Sequence, residues 1–308
     1  LAFQRGDIPA HLAALGARQV RGDITDPGAV REALRDVDAV VHAAAKVSMT
    51  GPAAEFERIN IEGTRTVVQE ARGAGVQRFV MISSPSVAHA GRSIMGAPAL
   101  PADPERARGD YARTKAAAEV LALACDEPHF AVVALRPHLV WGPRDTQLTM
   151  RIIERARAGR LVLVGTGAAL IDTTYIDNAA TAAVAALRRA GHDEVHGRAF
   201  VVSNGEPRTV AEMLTRIAAA AGLPGPTRGV PAPLAIGAGR VLEQVWTRGG
   251  RPDEPPLTGF LAEQLATAHW FDQRPVREAL DWAPEVSIDE GFGRLAAWLH
   301  EVIGPAGL

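Results

Sequence analysis

The stretch "YARTKAAAEVLALACDEPHFAVVALRP", residues 111–137, joins a helical pattern to a strand pattern. Its first part, 111–126, is rich in alanine and leucine and predicts a helix. Its last part, 130–137, is a short apolar run that ends in an arginine and a proline, which is typical of a strand buried on both faces. A helix that leads into such a strand is the repeating unit of a parallel α/β sheet.

The same alternation continues toward the N-terminus. Asp26 and Pro27 are a helix-capping residue and a first-turn proline, and they predict a helix over 26–37. We interpret 38–45 as a strand buried on both faces, 60–76 as a helix and 78–84 as a strand. The sequence therefore predicts a Rossmann-type, doubly wound parallel sheet.

The pattern changes toward the C-terminus. The alternation weakens after about residue 145, and the segments beyond about residue 205 read as helices separated by proline-rich turns, "APLAIGAGRVLEQVW" and "TGFLAEQLATAHW" among them. We expect a smaller, mainly helical part that binds the substrate, over 146–308. The nucleotide-binding domain is expected over 1–145, with further elements from 177–204.

Composition limits the classes of partner. The net charge is −2 and no basic stripe is visible, so we expect no nucleic-acid partner. A single cysteine, the absence of a signal-peptide pattern and the absence of a long apolar run favour a cytoplasmic protein without a spanning segment. His192 and His196 have a zinc-like spacing, but no third ligand is near them in the sequence, so no metal is expected.

Tyr111 and Lys115 are the first candidate catalytic residues. They are four residues apart, so a helix places them on one face, one turn from each other. A tyrosine hydroxyl titrates near ~10, and a neighbouring ammonium lowers that pKa. The pair is therefore a candidate general acid or base. Ser84 ends the strand before this helix, and the ends of parallel strands form the binding crevice of such sheets, so Ser84 is expected there too.

Arg5 is the candidate reader of the cofactor's ribose. It ends the strand pattern at the start of the chain, where an NAD enzyme prefers an acidic residue and where arginine suits a 2′-phosphate. This position favours NADP(H) over NAD(H), although Arg5 could instead pair with Asp7. The first strand, glycine-rich turn and first helix of a dinucleotide fold would precede Leu1. Without them we expect weak NADPH binding.

These motifs resemble the extended short-chain dehydrogenase/reductase family. The resemblance implies a catalytic triad of Ser84 in "ISSPSV" with Tyr111 and Lys115, and it implies that Tyr111 and Lys115 also contact the cofactor. The remaining cofactor contacts that it implies are Asp23 and Ile24 in "RGDITD" at the adenine, Ala43, Ala44 and Ala45 in "HAAA" along the cofactor, Asn60 in "NIEGT", and Pro137 and Val140 in "LRPHLVWGP" beside the nicotinamide.

Within this family, the 3β-hydroxysteroid dehydrogenase-like branch is the most similar. Segments such as "FQRGD", "SPSVAH" and "VSNGEP" look like its bacterial members that reduce β-keto acids in long-chain olefin biosynthesis. The resemblance implies NADPH-dependent reduction of a 2-alkyl-3-oxoalkanoate to the 2-alkyl-3-hydroxyalkanoate. We expect a lipid-like small molecule as substrate, a homodimer, and an association with other enzymes of the same pathway.

Three alternatives remain open at this point. A 3β-hydroxysteroid or sterol-carboxylate dehydrogenase would carry the same triad. A nucleotide-sugar epimerase is the second alternative, and the absence of a recognisable sugar-nucleotide motif disfavours it. A non-catalytic NAD(P)-binding regulatory protein is the alternative of another class. The presence of Ser84, Tyr111 and Lys115 together weighs against this last alternative.

Overall fold

The computed structural model describes residues 1–48, 51–88, 91–249 and 255–303. The chain forms two compact units. Unit 1 consists of Leu1–Ala88, Pro101–Leu135 and Ala183–Ala199, and unit 2 consists of His89–Leu100, Arg136–Ala182 and Phe200–Leu308.

The strands are short and distributed along the whole chain. In chain order they are β1 (Ala2–Gln4), β2 (Gln19–Arg21), β3 (Ala39–His42), β4 (Arg78–Ile82), β5 (Ile94–Ala97), β6 (Ala131–Pro137), β7 (Val140–Trp141), β8 (Leu163–Val164), β9 (Leu170–Ile171), β10 (Thr174–Tyr175), β11 (Arg198–Val202), β12 (Arg208–Thr209), β13 (Gly229–Val230) and β14 (His269–Phe271).

Helices alternate with these strands. They are α1 (Ala10–Ala14), α2 (Pro27–Ala33), α3 (Ala53–Phe56), α4 (Gly63–Gly73), α5 (Gly109–Leu123), α6 (Thr149–Arg157), α7 (Ile176–Arg189), α8 (Val210–Ala220), α9 (Ala232–Arg248), α10 (Gly259–Ala266), α11 (Arg274–Leu280) and α12 (Ile288–Ile303). A π-helical segment, Glu57–Glu62, joins α3 to α4, and a 3-10 helix, Pro85–Ala88, follows β4.

The central strands of the sheet in unit 1 are parallel, as predicted. Four strands lie in the order β11-β6-β4-β3, and β4 pairs in parallel with both β3 and β6. Phe79 of β4 is opposite Val40 on one side and Val132 on the other. The core beneath consists of Val30, Leu34, Val67, Val68, Ala71, Val76, Phe79, Met81, Ala118, Ala122, Phe130 and Val132.

The prediction for 38–45 was wrong in two respects. The strand β3 ends at His42, so Ala43–Ala45 follow it as irregular backbone. It is also the last strand of its sheet, and Val41 is 44% exposed. Within the described residues β1 and β2 form a separate parallel pair, so no strand covers this side of β3. An apolar run identifies a strand, but its place in the sheet depends on long-range pairing.

The helix predicted over 26–37 is confirmed as α2 with a shorter C-terminus. The carboxylate of Asp26 accepts hydrogen bonds from the backbone N–H groups of Gly28 and Ala29, and Pro27 occupies the first turn. These bonds satisfy donors that a helix otherwise leaves without partners. The helix ends at Ala33, four residues before the end of the predicted range.

Unit 2 combines short strands with most of the C-terminal helices. Its largest sheet has the order β12-β9-β14-β5, in which β14 is parallel to β5 and to β9. The sequence assigned His269–Trp270 to the end of a helix, but they lie in β14, and β5 was not predicted. The core consists of Trp141, Ile152, Ile153, Ile171, Tyr175, Val210, Met213, Leu214, Ile217, Ala221, Val286, Ile288, Phe292, Leu295 and Leu299.

The helix α9 packs against α10 through small residues. A Cβ on Gly239 would lie 2.5 Å from the carbonyl carbon of Thr258, so only glycine permits this approach. Ala235 is buried in the same contact, whereas Leu234, Val241 and Val245 are exposed on the helix. Across the described ranges, no helix has both the length and the hydropathy to span a bilayer.

Candidate active site

Tyr111 and Lys115 lie one turn apart near the start of α5. The helix begins at Gly109, whose φ of +83° is a conformation that residues with a Cβ rarely adopt. Tyr111 is half-buried and Lys115 is buried, with 3% of its surface exposed. The helical spacing that the sequence predicts for this pair is therefore present in the structure.

Ser84 is the second residue after β4, which ends at Ile82 and is two residues shorter than the predicted strand 78–84. Burial raises the pKa of the Tyr111 phenol above its ordinary value, and a hydrogen bond with Ser84 lowers it in part. The structure thus brings together the two hydroxyl groups that the sequence placed at one crevice. A raised pKa keeps the phenol protonated at neutral pH, which suits a proton donor.

The predicted effect of Lys115 on Tyr111 was wrong. The Lys115 ammonium donates to the carbonyl oxygen of Ile82, at 2.6 Å, and burial lowers the pKa of Lys115 to about 8, against the opposing charge of Glu119. The pKa of Tyr111 is raised and not lowered, because burial of the phenol dominates. A helical spacing cannot reveal this competition, since desolvation depends on the surrounding fold.

Asn60 connects the loop after β3 to α5, the helix that carries Tyr111 and Lys115. Its Oδ1 accepts from the backbone N–H of Lys46 at 2.7 Å, and its Nδ2 donates to the Lys46 carbonyl and to the Thr114 hydroxyl at 3.2 and 3.0 Å. Asn60 is buried within the π-helical segment, a geometry often found at functional sites. These bonds give Asn60 a positioning role on α5, and its contact with the cofactor stays a prediction.

Asp23 and Ile24 lie in the turn after β2, both half-buried. Asp23 Oδ1 accepts from the Thr25 backbone N–H and hydroxyl, both at 2.9 Å, while among the described residues Oδ2 makes no hydrogen bond. The Thr25 bonds and the charges of Arg5 and Arg58 lower the pKa of Asp23, so it is an anionic acceptor at neutral pH. An amino group such as that of adenine fits this free oxygen.

Close packing against Ile24 accounts for Gly63, the glycine of "NIEGT". A Cβ at this position would lie 2.6 Å from Cδ1 of Ile24, so any larger residue requires the Ile24 side chain to move. The start of α4 therefore packs directly on the turn that carries Asp23 and Ile24. The helix that holds Asn60 and the predicted adenine contacts are in this way fixed to one another.

Arg5 directly follows β1 and is exposed on the surface of unit 1. The alternative ion pair with Asp7 is absent from the described residues, because Asp7 pairs with Arg21 instead. The charge of Arg5 lowers the pKa of Asp23 and, after the larger effect of Lys46, that of Glu55. A cation without an ion pair at this position is available to a phosphate.

Ala43–Ala45 continue from β3 along the same side of unit 1. Ala43 and Ala44 are exposed and Ala45 is half-buried, so small residues leave this backbone accessible. The next residue, Lys46, pairs with Glu55 at 2.8 Å and lies over the ring of Phe56 at 5.1 Å. These contacts hold the segment at its C-terminal end, and its contact with the cofactor stays a prediction.

Pro137 and Val140 belong to unit 2, at the end of β6 and the start of β7, and both are half-buried. Between them Leu139 has a φ of +45°, a conformation that is uncommon for leucine. Their predicted contact with a nicotinamide ring stays a prediction.

Sequence reasoning missed Ser86 and His42. Ser86 Oγ lies 2.9 Å from Ser84 Oγ, and the serine two positions after Ser84 in "SSPS" is a turn signal that could have identified it. His42 is buried, and its Nε2 lies 2.9 Å from the hydroxyl of Thr64. Burial and the charge of Lys115 lower the pKa of His42 to about 3, which no local pattern reveals.

Comparison with known proteins identifies relatives along nearly the whole chain. Residues 10–230 match the 3-beta hydroxysteroid dehydrogenase/isomerase family. A 2-alkyl-3-oxoalkanoate reductase of Stenotrophomonas maltophilia is 43% identical over 302 residues, which are 96% of this chain and 91% of that protein. A protein of the same name from Shewanella oneidensis is 38% identical over 306 residues, 96% of this chain and 79% of that protein.

The fold has solved counterparts. A double mutant of DesIV, a dTDP-glucose 4,6-dehydratase from Streptomyces venezuelae with NAD bound, superposes with a TM-score of 0.71 at 25% identity, over 96% of this chain and 84% of that one. The fold is thus that of the extended short-chain dehydrogenases. Its motifs, their order and the family match lead to one conclusion: the chain belongs to the 3-beta hydroxysteroid dehydrogenase/isomerase family and is an NAD(P)-dependent oxidoreductase.

Proposed function

We propose that this protein reduces a 2-alkyl-3-oxoalkanoate to the 2-alkyl-3-hydroxyalkanoate with NADPH, as a step of long-chain olefin biosynthesis. The observation that carries the proposal is the placement of Tyr111 and the buried Lys115 one turn apart on α5, with Ser84 near enough to the Tyr111 phenol to lower its pKa in part. The name of the relative that is 43% identical supports the choice of substrate.

The described residues fit a dinucleotide. The free oxygen of Asp23 would accept from the adenine amino group, with Ile24 beside the ring. Arg5 would bind a 2′-phosphate in bidentate fashion, which favours NADP(H). Ala43–Ala45 would line the cofactor, and Pro137 and Val140 would contact the nicotinamide.

Each catalytic side chain has a separate task in the proposed reaction. Bound NADPH would supply the hydride that the keto carbon accepts. Tyr111 donates its proton to the keto oxygen, and its raised pKa keeps it protonated until then. Ser84 donates a hydrogen bond to the same oxygen as negative charge develops there. Lys115, buried on the next turn of α5, would contact the cofactor's ribose.

The test measures turnover in the oxidative direction, because β-keto acids lose carbon dioxide spontaneously. Purified protein is given NADP⁺ and 2-alkyl-3-hydroxy acids of increasing alkyl length, and NADPH formation is followed. We expect kcat/KM to rise with alkyl length, since buried apolar surface contributes about 25 cal/mol per Å². A 3β-hydroxysteroid, a sterol carboxylate and a nucleotide sugar serve as competing substrates.

Two tyrosine variants make the assay specific, because the chain has only 2 tyrosines. Tyr111→Phe should lower kcat by about 10² or more and leave cofactor binding nearly unchanged. Tyr175→Phe is the matched control, since Tyr175 lies in the core of unit 2, and should retain turnover. Wild-type turnover by Tyr111→Phe would contradict the assignment, and efficient turnover of the steroid with a flat alkyl series would replace the substrate. The homodimer stays a prediction.

A further inference from the structure

The hydroxyl of Ser84 receives two hydrogen bonds from one residue, Ser86. Ser84 immediately precedes the 3-10 helix Pro85–Ala88, and both polar groups of Ser86 reach back to it. The Ser86 backbone N–H lies 3.3 Å and the Ser86 Oγ 2.9 Å from Ser84 Oγ. Among the residues that the structure describes, Ser84 is the only hydrogen-bond partner of the Ser86 hydroxyl.

A serine hydroxyl has one hydrogen to donate and two lone pairs that accept. The N–H of Ser86 can only donate, so it occupies one lone pair of Ser84. When the Ser86 hydroxyl donates to the second lone pair, the hydrogen of Ser84 has no partner on this side. That hydrogen is then directed to Tyr111, or to a substrate oxygen that binds between the two residues.

We propose that Ser86 is a positioning residue of the active site, whose N–H and hydroxyl together fix Ser84 as the hydrogen-bond donor toward Tyr111 and the reacting oxygen. This inference rests on the proposed function. A donor chain Ser86–Ser84–Tyr111 stabilises negative charge at its far end, because each donated bond polarises the next. The charge arises on the Tyr111 oxygen when the phenol has given up its proton.

The composition of the chain allows a direct test without substrate. In a Tyr175→Phe background Tyr111 is the only tyrosine, so ultraviolet difference absorbance reports its ionisation alone. Ser86→Ala removes the hydroxyl and keeps the backbone N–H. We expect it to raise the pKa of Tyr111 by about half a unit, the equivalent of one weak hydrogen bond. Ser86→Thr keeps a hydroxyl and should restore the parental pKa.

Turnover provides the second readout, in the same oxidative assay. The rate rises with pH as Tyr111 loses its proton, so Ser86→Ala should move this limb to higher pH and lower kcat/KM at neutral pH about 3-fold, the factor that half a pKa unit gives. Ser86→Thr should recover most of the rate. Ser93→Ala, which removes an exposed serine hydroxyl of unit 2, is the matched control and should change neither quantity.

The outcomes separate the two proposals. If Ser86→Ala leaves both the Tyr111 pKa and the position of the pH limb unchanged, or if Ser86→Thr is as impaired as Ser86→Ala, Ser86 has no positioning role. If the Tyr111 pKa shifts as expected but no variant oxidises a 2-alkyl-3-hydroxy acid, the positioning role stands and the proposed substrate is wrong.

Discussion

At the scale of single residues, the ionisation of Tyr111 and Lys115 depends on burial. An ammonium one helical turn from a phenol would lower the pKa of the phenol in water. In this structure burial raises the pKa of Tyr111 and lowers that of Lys115 to about 8, so each group moves toward its neutral form. A neutral phenol is the form that donates a proton, which matches the direction of the proposed reduction.

A second prediction at the scale of single residues concerns Arg5 and the choice between NADPH and NADH. Its guanidinium has no ion pair within the described residues, and Asp23, the proposed adenine ligand, experiences its charge. Arg5→Ala should weaken NADPH binding by about tenfold and NADH binding little, because only NADPH carries the 2′-phosphate. Calorimetric titration of both cofactors measures the difference.

Arg21→Ala is the matched control for this prediction. Arg21 is an exposed arginine on the neighbouring strand β2, but it pairs with Asp7. It should therefore leave the ratio of NADPH to NADH affinity unchanged. Equal losses for the two cofactors in Arg5→Ala would reject Arg5 as the reader of the phosphate.

At the scale of elements, the continuous helix over 53–73 organises unit 1. Its π-helical segment carries Asn60, which bonds to Lys46 and Thr114, and its next turn packs Gly63 on Ile24. One helix thereby contacts the loop after β3, the helix α5 and the turn after β2. A displacement of this helix should affect cofactor binding before it affects the stability of the unit.

Gly63→Ala tests this arrangement. The added methyl would meet the side chain of Ile24 at 2.6 Å, so Ile24 must move away from the proposed adenine site. A displaced Ile24 no longer lies where the adenine would bind, so NADPH binding should weaken roughly tenfold. Overpacking costs about 1–3 kcal/mol of folding stability and the better helix propensity of alanine returns about 1 kcal/mol, so the free energy of unfolding should fall by at most about 2 kcal/mol.

Gly73→Ala on the same helix is the control, since a Cβ there would meet no atom within 4 Å. It should stabilise the protein slightly and leave the affinity for NADPH unchanged. Equal affinities for Gly63→Ala and the wild type would show that Ile24 does not contact the cofactor.

At the scale of the whole molecule, two buried groups give the free energy of unfolding opposite pH dependences. Burial lowers the pKa of His42 to about 3, so below about pH 6.5 only the unfolded chain takes up this proton and stability falls with falling pH. Burial raises the pKa of Asp172 to about 6, so its contribution to stability is lost as pH rises from about 4 to about 6. These two contributions add to those of the other titrating groups.

His42→Gln isolates the first contribution, because the Asp172 contribution is common to both proteins and cancels. Between about pH 7.5 and about pH 5, the wild type should lose about 2 kcal/mol more of its unfolding free energy than His42→Gln. Urea unfolding at the two pH values measures this difference. His129→Gln, which replaces an exposed histidine, should behave like the wild type.

The local features of the fold could be predicted from the sequence. The Asp26 cap of α2, the strands β4 and β6 and the helix α5 with its Tyr111–Lys115 spacing are all present, because each depends on residues within a few positions of one another. The adjacency of Ser84 and Tyr111 was also predictable, since strands of a parallel sheet end at the same edge.

The tertiary structure alone decided the features that depend on distant partners. The position of β3 at the end of its sheet follows from which strands pair, and β14 is a strand because β5 and β9 lie beside it. The ionisation of Tyr111 depends on desolvation, a property of everything packed around the phenol. An apolar run or a residue spacing contains none of this information, since burial is the sum of contacts that the folded chain makes at long range.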